Sequence, residues 1–424
     1  MHKLISKKMM LLTGLALITT TVVMASTVGA TGTANLVLRG STTLGPTMVA
    51  AETPFQNANL GATIDAANLV QNSSGTGIGD LNNGIADIAM SSRPLKTSGA
   101  ETGDTAYAVE RDAVIMMVSD AQTPSEITQL SKIQVRGIYE GIYADASGNT
   151  YWDAGAVTTP AGGIAGNDLA GDTTTTYEPG VSYPALPGFG HSDGHVLINI
   201  FARNLDSGTR GFVGDSTANG GAVFAKATTL ITGHPDASDY PLEQKYLGDD
   251  SSSHREAGAG AMQTAINSAT NSALGYAGLG YTRDSTHTNI RDLLLVNDSN
   301  GLAYPASNIN VYSGHYAFSR FCYLVTKNAN PNNSNAMILI NWMQTLDGAG
   351  QDCTITAKEL RLVADEDVNH DGKVDIFDLT QAGNDYSHSG AAHFTRSDVN
   401  RDGHVDIFDM TDLGNWYGTT IVQP

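Results

Sequence analysis

One twelve-residue segment near the C-terminus occurs twice, almost unchanged. Asp367-Val-Asn-His-Asp-Gly-Lys-Val-Asp-Ile-Phe-Asp378 returns as Asp398-Val-Asn-Arg-Asp-Gly-His-Val-Asp-Ile-Phe-Asp409, identical at ten of twelve positions and offset by 31 residues. Oxygen side chains stand at positions 1, 3, 5, 9 and 12 of each copy, and Gly372 and Gly403 stand at position 6. A hard divalent cation needs six to eight oxygens from one loop, with a sharp turn at the sixth position and a backbone carbonyl at the seventh. The spacing therefore predicts two calcium ions, one per loop. The first is held by Asp367, Asn369, Asp371, the Lys373 carbonyl, Asp375 and Asp378. The second is held by Asp398, Asn400, Asp402, the His404 carbonyl, Asp406 and Asp409. Val374 and Val405 at position 8 are expected to face inward.

Both loops end in Asp where the common helix–loop–helix calcium motif has Glu. No obvious helix precedes the second loop, since Thr395-Arg-Ser397 leads straight into it. In both respects residues 359–424 closely resemble a dockerin module. The resemblance implies a small α-helical module of two calcium loops, each followed by one helix, that docks onto a cohesin domain of a scaffold or cell-surface protein. In that family positions 10 and 11 help choose the cohesin; here they are Ile376-Phe377 and Ile407-Phe408. The duplication implies two quasi-equivalent docking faces. The apolar pairs fit a hydrophobic contact with a partner, and equally the closure of the module's own small core.

Upstream, strands and helices alternate to about Gln351. Strands are expected at Asn35–Arg39, Ala86–Met90, Ala113–Val118 and Val196–Ala202, and helices at Ala257–Ala269 and Ala336–Leu346. Gly137–Tyr143 and Trp152 read as a helix end and a turn. This order predicts an α/β domain with mainly parallel strands over residues 31–358. Residues 145–192, rich in Gly, Thr and Pro, read as a long surface insertion. The 43 acidic residues outnumber the 23 basic ones, and a net charge of −20 repels nucleic acid.

Lys3, Lys7 and Lys8 precede the apolar run Met9–Ala25 and the small pair Gly29-Ala30. Residues 1–30 thus read as a secretory signal, which makes the protein extracellular or attached to the cell surface. An uncleaved anchor is the alternative, since the run nears bilayer-spanning length. No Cys near the cleavage region offers a lipid anchor. Cys322 and Cys353 are the only cysteines, and a disulfide or two buried thiols both remain open.

Three segments combine Gly with hydroxyl side chains where a strand hands over to a helix: Gly40-Ser-Thr-Thr-Leu-Gly-Pro46, Asn72-Ser-Ser-Gly-Thr-Gly-Ile-Gly79 and Arg203-Asn-Leu-Asp-Ser-Gly-Thr-Arg210. Pro46 suits a first helical turn. Backbone N–H groups at a helix start are unpartnered and partly positive, and Ser and Thr hydroxyls add donors. Several such ends meeting at one point can hold a dehydrated oxyanion, with Arg203 adding a bidentate contact.

With Gly40-Ser-Thr-Thr, Ser73-Ser-Gly-Thr-Gly, Ala86-Asp-Ile-Ala-Met-Ser-Ser-Arg-Pro-Leu95 and Ser207-Gly-Thr-Arg-Gly-Phe212 in this order, residues 34–355 resemble the phosphate-binding proteins of ABC-type phosphate importers. Leu274-Gly-Tyr-Ala-Gly-Leu-Gly-Tyr281 and Tyr316-Ala-Phe-Ser-Arg320 match later segments of that family. The resemblance implies a two-lobed periplasmic-binding-protein fold of type II with a hinge, closing on phosphate and delivering to an ABC importer. Carried over by position, the ligand contacts would be Thr42, Thr43, the Leu44 backbone, Ser74, Ser92, Arg203, Ser207, Gly208 and Thr209. Two positions depart from the pattern. Some members place an acid two residues after the arginine, where this chain has Leu205 followed by Asp206. Some have Asp in place of Ser92. Asp206 either substitutes as a proton acceptor or faces solvent.

Rival readings are a hydrolase of polysaccharide or ester carried by the docking module, and a structural or adhesion component that binds no solute. Gly190-His-Ser-Asp-Gly194 has the form of a nucleophile elbow, yet that motif needs a strand before the serine and a helix after it. Here Pro184 and Pro187 precede it and the apolar Val196–Ile200 follows. His191, Asp193 and His195 have metal-like spacing in a Gly-rich loop, where such residues are usually solvated. No persuasive pair of carboxylates suggests a glycosidase. The expectation is a non-catalytic binding protein.

Overall fold

The computed structural model describes residues 34–96, 101–145, 147–158, 181–192, 194–214, 253–282, 287–346, 349–391 and 395–424. The signal-like segment 1–30, Asp193 and residues 159–180 of the insertion lie outside the described residues.

Strand β1, Ala34–Gly40, buries Leu36, Leu38 and Gly40 on one face and leaves the alternate residues partly open, as a period of two requires. Helix α1, Gly45–Asn57, starts on Pro46 and buries Thr47, Met48, Ala51 and Phe55 along one stripe. Strand β2, Ala62–Gln71, and strand β3, Ile88–Ser91, flank β1 in parallel, with helix α2, Ser74–Asn82, between them in sequence.

The longest strand, β4, runs from Asp104 to Ser119, and its last twelve residues are all buried. Such a run has no solvated face. Its first part pairs antiparallel with the strand Ser319–Lys327, which also pairs antiparallel with β3. Its second part pairs antiparallel with Ala273–Gly278 and with Ile290–Asp292. One strand thus belongs to two half-sheets. Each half has its own core: Leu36, Leu38, Phe55, Ile64, Leu324 and Leu339 beside β1, and Ile115, Met117, Tyr139, Trp152 and Tyr276 beside the far end of β4.

The structure corrects the expected parallel sheet, the expected surface insertion and the expected strand at 196–202, and it decides the open alternative at the cysteines. The sheet is mixed, because the chain returns through Ala273–Gly278 and Ser319–Lys327 against the direction of β4. The insertion is anchored in the core: Trp152, Tyr183 and Leu186 are at most 2% exposed, and the strand Val157–Thr158 pairs with Ser182–Tyr183. Cys322 and Cys353 are both free and buried, so they form no disulfide. The strand expected at Val196–Ala202 is broken into Asn199–Ile200 and Ala202–Arg203, and the helices form at Ala259–Asn267 and Asn333–Met343.

The C-terminal repeat rests on the same body. Arg111 and Leu360 exchange both backbone hydrogen bonds, and Arg111 donates through its side chain to the carbonyls of Leu362 and Val422. No helix among the described residues is long and apolar enough to cross a membrane.

Candidate functional site

The three Gly- and hydroxyl-rich segments meet where β1, β3 and the strand Ala202–Arg203 end. Ser92 and Ser74 are linked twice, by the Ser92 N–H donating to Ser74 Oγ at 3.1 Å and by the two hydroxyls 3.3 Å apart. Gly208 packs directly on this pair. A Cβ there would lie 2.0 Å from Ser74 Oγ and 2.7 Å from Ser92 Oγ, so no other residue fits without displacement. Gly77 lets α2 approach equally closely, since its Cβ would lie 2.4 Å from the Arg39 carbonyl oxygen. Glycine therefore sets the spacing of the cluster, and hydroxyls line it.

Helix α1 begins at Leu44, with no side chain capping its first amides. Helix α2 differs: Ser73 Oγ takes the Thr76 N–H at 3.1 Å, and the Asp206 carbonyl takes the Gly75 N–H at 3.2 Å. The second segment therefore contributes chiefly the Ser74 hydroxyl.

Arg203 is buried. Its Nε donates to the Glu256 carbonyl at 3.1 Å, and its Nη2 to the Ala257 carbonyl at 3.1 Å and to Thr42 Oγ1 at 3.4 Å. Its Nη1 is buried with no hydrogen-bond partner among the described residues. Burial pulls this guanidinium down to about 10, which leaves it charged at neutral pH. A buried charged donor without an acceptor is costly, and an anionic ligand would relieve it.

Of the expected contacts, Thr42 lies at Arg203, Ser74, Ser92 and Gly208 touch one another, and Thr43 and Thr209 are joined through a residue that the sequence placed in a family segment but gave no contact role. That residue is Arg320. Its Nε and Nη2 bind Asp112 Oδ2 at 2.8 and 2.5 Å, and its Nη1 donates to the Ser92 carbonyl at 2.9 Å and to Thr209 Oγ1 at 3.2 Å. Its Nη2 also reaches Thr43 Oγ1 at 3.4 Å. Burial opposes the Arg320 charge, but the Asp112 carboxylate more than restores it, so its pKa stands above the usual value. Tyr281, likewise given no contact role by the sequence, donates to the Thr42 carbonyl at 3.0 Å. Ser207 is buried, and its Oγ accepts the Arg210 N–H at 3.4 Å.

Asp206 makes a contact that the sequence did not display. Its Oδ2 accepts from Ser73 Oγ at 2.6 Å and from Thr76 Oγ1 at 2.5 Å, so it ties the third segment to the start of α2. Leu205 beside it is buried. Ser192 lies in an exposed turn without a flanking strand, and His195 stacks on Tyr151 at 4.6 Å, with Nδ1 3.1 Å from Asp153.

The two acidic loops have matching geometry. Gly372 and Gly403 adopt φ of +88° and +86° at position 6, where a side chain would be strained, and His370 and Arg401 adopt +59° and +63° at position 4. Asp375 and Asp406 each cap a following helix, Ile376–Asp385 and Ile407–Trp416, with Asp378 and Asp409 closing the capping boxes. Asp367, Asp378, Asp398 and Asp409 are fully buried, and so are Val374 and Val405, as expected of position 8. Asp367 accepts from the Asp371 and Gly372 amides, and Asp378 from those of Asn369 and Asp375. Among the described residues no three His, Cys, Asp or Glu side chains are gathered as a metal cluster. The turn geometry and oxygen donors nevertheless fit a hard cation. Burial first, and Asp378 and Asp371 nearby, push the Asp367 carboxyl up to about 6.

Each loop is braced by the other copy. Gly418 and Thr419 exchange hydrogen bonds with Val374, and Ser387 and His388 do so with Val405. Ile376, Phe377, Ile407 and Phe408 are 55–65% exposed, so they do not close the module's core; the buried apolar residues there include Val368, Val374, Val405, Leu413 and Ile421.

A family model described as a PBP superfamily domain matches residues 25–345. Structures similar to this chain include a substrate-binding protein assigned to phosphate ABC transport, with bound phosphate, from Clostridium perfringens. It is 18% identical with a TM-score of 0.48, covering 78% of this chain and 100% of its own. An ABC-type phosphate transport receptor from Vibrio cholerae is 17% identical with a TM-score of 0.46, covering 77% and 99%. PstS from Borrelia burgdorferi is 18% identical with a TM-score of 0.40, covering 77% and 98%. No curated protein matched the sequence.

Proposed function

This chain belongs to the PBP superfamily, and from that premise we propose that it is a secreted, non-catalytic solute-binding protein for inorganic phosphate or a similar tetrahedral oxyanion. The ligand sits between the two halves joined by β4, among Thr42, Thr43, the Leu44 amide, Ser74, Ser92, Arg203, Ser207, Gly208 and Thr209. The observation that carries this reading is the buried, unpartnered Nη1 of Arg203 beside a cluster of hydroxyls. A charged donor held dry calls for an anionic oxygen. Delivery to an ABC importer would follow from the same binding.

Residues 359–424 act as a dockerin, taking two calcium ions and docking a cohesin domain through Ile376-Phe377 or Ile407-Phe408. The exposure of both pairs at matching helix starts favours this reading. Calorimetry of the purified chain with calcium present tests the first part. A saturable heat with phosphate supports it, and no heat with phosphate, arsenate or sulfate removes it in favour of a structural or adhesion component. Calcium titration tests the second part: no heat and unchanged circular dichroism would remove the docking tail.

A further inference from the structure

We propose that the cavity bounded by β4, the strand Ser319–Lys327 and Val422 of the C-terminal segment is a second anion site, and that it takes a small organic carboxylate with an apolar body. The cavity measures about 400 Å³, within the range that holds a small molecule. None of the proposed phosphate contacts lines it, so the proposal does not rest on the reading of the cleft. Arg320 reaches both places, but Asp112 already matches its charge. Arg111 and Lys132 are the cations left for a ligand here.

Arg111 carries the argument. It is 3% exposed, and no carboxylate among the described residues pairs with it. Its guanidinium lies over two rings, 5.0 Å from the Tyr312 centroid and 4.4 Å from that of Phe321. Its Nε donates to the Leu362 carbonyl and its Nη2 to that of Val422, and no hydrogen bond among the described residues uses Nη1. Burial pulls this guanidinium down to about 10, which leaves it charged at neutral pH. Rings and carbonyls offer that charge dipoles but no counter-ion, and a buried charge without one is costly. In a chain of net charge −20 such a cation is an exception, and a planar carboxylate is the partner its fork fits.

Lys132, the first residue of the helix Lys132–Tyr139, supplies the second charge. Its Nζ lies 3.8 Å from Asp298 Oδ2, on a carboxylate that is mostly in solvent. A pair that long and wet is worth little, so a ligand carboxylate competes for Lys132. The rest of the wall sets the class of ligand. Val311, Tyr316, Ala317, Phe321 and Val422 put apolar surface beside the two cations. A bare inorganic anion leaves that surface wet, whereas an acid bearing a ring or a short chain covers it. Because Arg111 also holds the carbonyls of Leu362 and Val422, a ligand here braces the C-terminal segment against the body.

The test is calorimetry of the full chain with benzoate, hexanoate and inorganic phosphate, on the wild type, Lys132→Gln and Arg111→Met, with circular dichroism as the folding control. The benzoate titration is repeated with phosphate present in excess. The wild type should give a saturable heat with benzoate, unchanged by phosphate. Lys132→Gln should weaken benzoate about tenfold, the loss of one charge-assisted contact, and leave phosphate alone. Arg111→Met keeps an unbranched side chain on the two rings and should abolish benzoate binding. Should that variant lose its fold, the Lys132→Gln comparison decides. No saturable heat with benzoate or hexanoate in the wild type overturns the proposal, and so does undiminished benzoate affinity in folded Lys132→Gln. Competition between benzoate and phosphate overturns it as well, because it would put the carboxylate in the cleft. A phosphate heat that is lost in Lys132→Gln overturns the choice of an organic acid.

Discussion

The backbone amide of Val422 donates to the carbonyl of Tyr312 at 2.9 Å, which fastens the end of the chain to the solute-binding body. The same strap has just passed the first acidic loop, where Ile421 donates to the Gly372 carbonyl and Gly418 to that of Val374. Trp416 adds an edge contact with Tyr312, ring centroids 5.6 Å apart. Ending the chain after Gly418 should therefore lower both the melting temperature and the affinity of the first loop for calcium, leaving the second less affected. Differential scanning calorimetry with and without calcium measures both. Equal melting of the full and shortened chains would show that the strap carries no stability.

Gly208→Ala should weaken anion binding roughly 100-fold while leaving the fold intact. The added methyl meets two hydroxyls of the cradle, Ser74 and Ser92, and not the core. Losing their alignment costs about 2–3 kcal/mol, or roughly 100-fold in affinity. Titration calorimetry, with far-UV circular dichroism as the folding control, decides it; undiminished binding would mean the ligand lies elsewhere.

Asp206→Asn separates two roles for this acid. As the proton acceptor for phosphate, it would set phosphate apart from sulfate. As a tie between Ser73 and Thr76, it holds the second segment against the third. The structure favours the tie. The substitution should therefore weaken phosphate and sulfate by similar factors, whereas a selective loss of phosphate would restore the acceptor role.

Stability should fall as pH rises through the neutral range. Glu110 is fully buried on β4, with Thr47 donating to it at 2.5 Å, and burial first, then Asp112, pushes its carboxyl up to about 8. A carboxyl whose folded pKa exceeds its unfolded value stabilises the fold below the unfolded value and loses that contribution as pH climbs through the folded one. The window runs from about 4.5 to about 8. The melting temperature should thus drop by several degrees between pH 5 and 9, and Glu110→Gln should flatten that slope. An unchanged slope would assign the titration to another group.

The parts of the site that were legible in the sequence are those whose chemistry is local. Each acidic loop gathers its oxygen side chains within twelve residues, and a Gly-hydroxyl turn gathers its donors within eight, so spacing alone displays them. Arg320 was not legible because its meaning lies in Asp112, 208 positions away, and in Thr43, 277 away. Asp206 misled for the same reason, since Thr76 stands 130 residues before it. The antiparallel return of Ser319–Lys327 was missed because its half-open positions Phe321 and Tyr323 are as apolar as the buried Cys322 and Leu324, so the sequence shows no polar–apolar alternation there. In the acidic repeat, sequence left the Ile-Phe pairs with two fates, and burial of Val374 and Leu413 instead decided between them.

Replacing Phe377 and Phe408 together should abolish capture by a cohesin, while either replacement alone should leave it within a few-fold. Both rings sit second in their helices, are 65% and 64% exposed, and follow the same Asp cap, so the two faces offer a partner equivalent apolar surfaces. Large exposed aromatic side chains in such patches dominate binding when covered. Either face alone satisfies a single partner, so one survivor suffices, at most halving the number of productive orientations. The measurement is surface plasmon resonance of the four proteins over a panel of immobilised cohesins with calcium present, repeated after chelation. Binding by the double variant equal to wild type would remove these pairs as the docking surface, and binding unaffected by chelation would separate docking from the calcium loops.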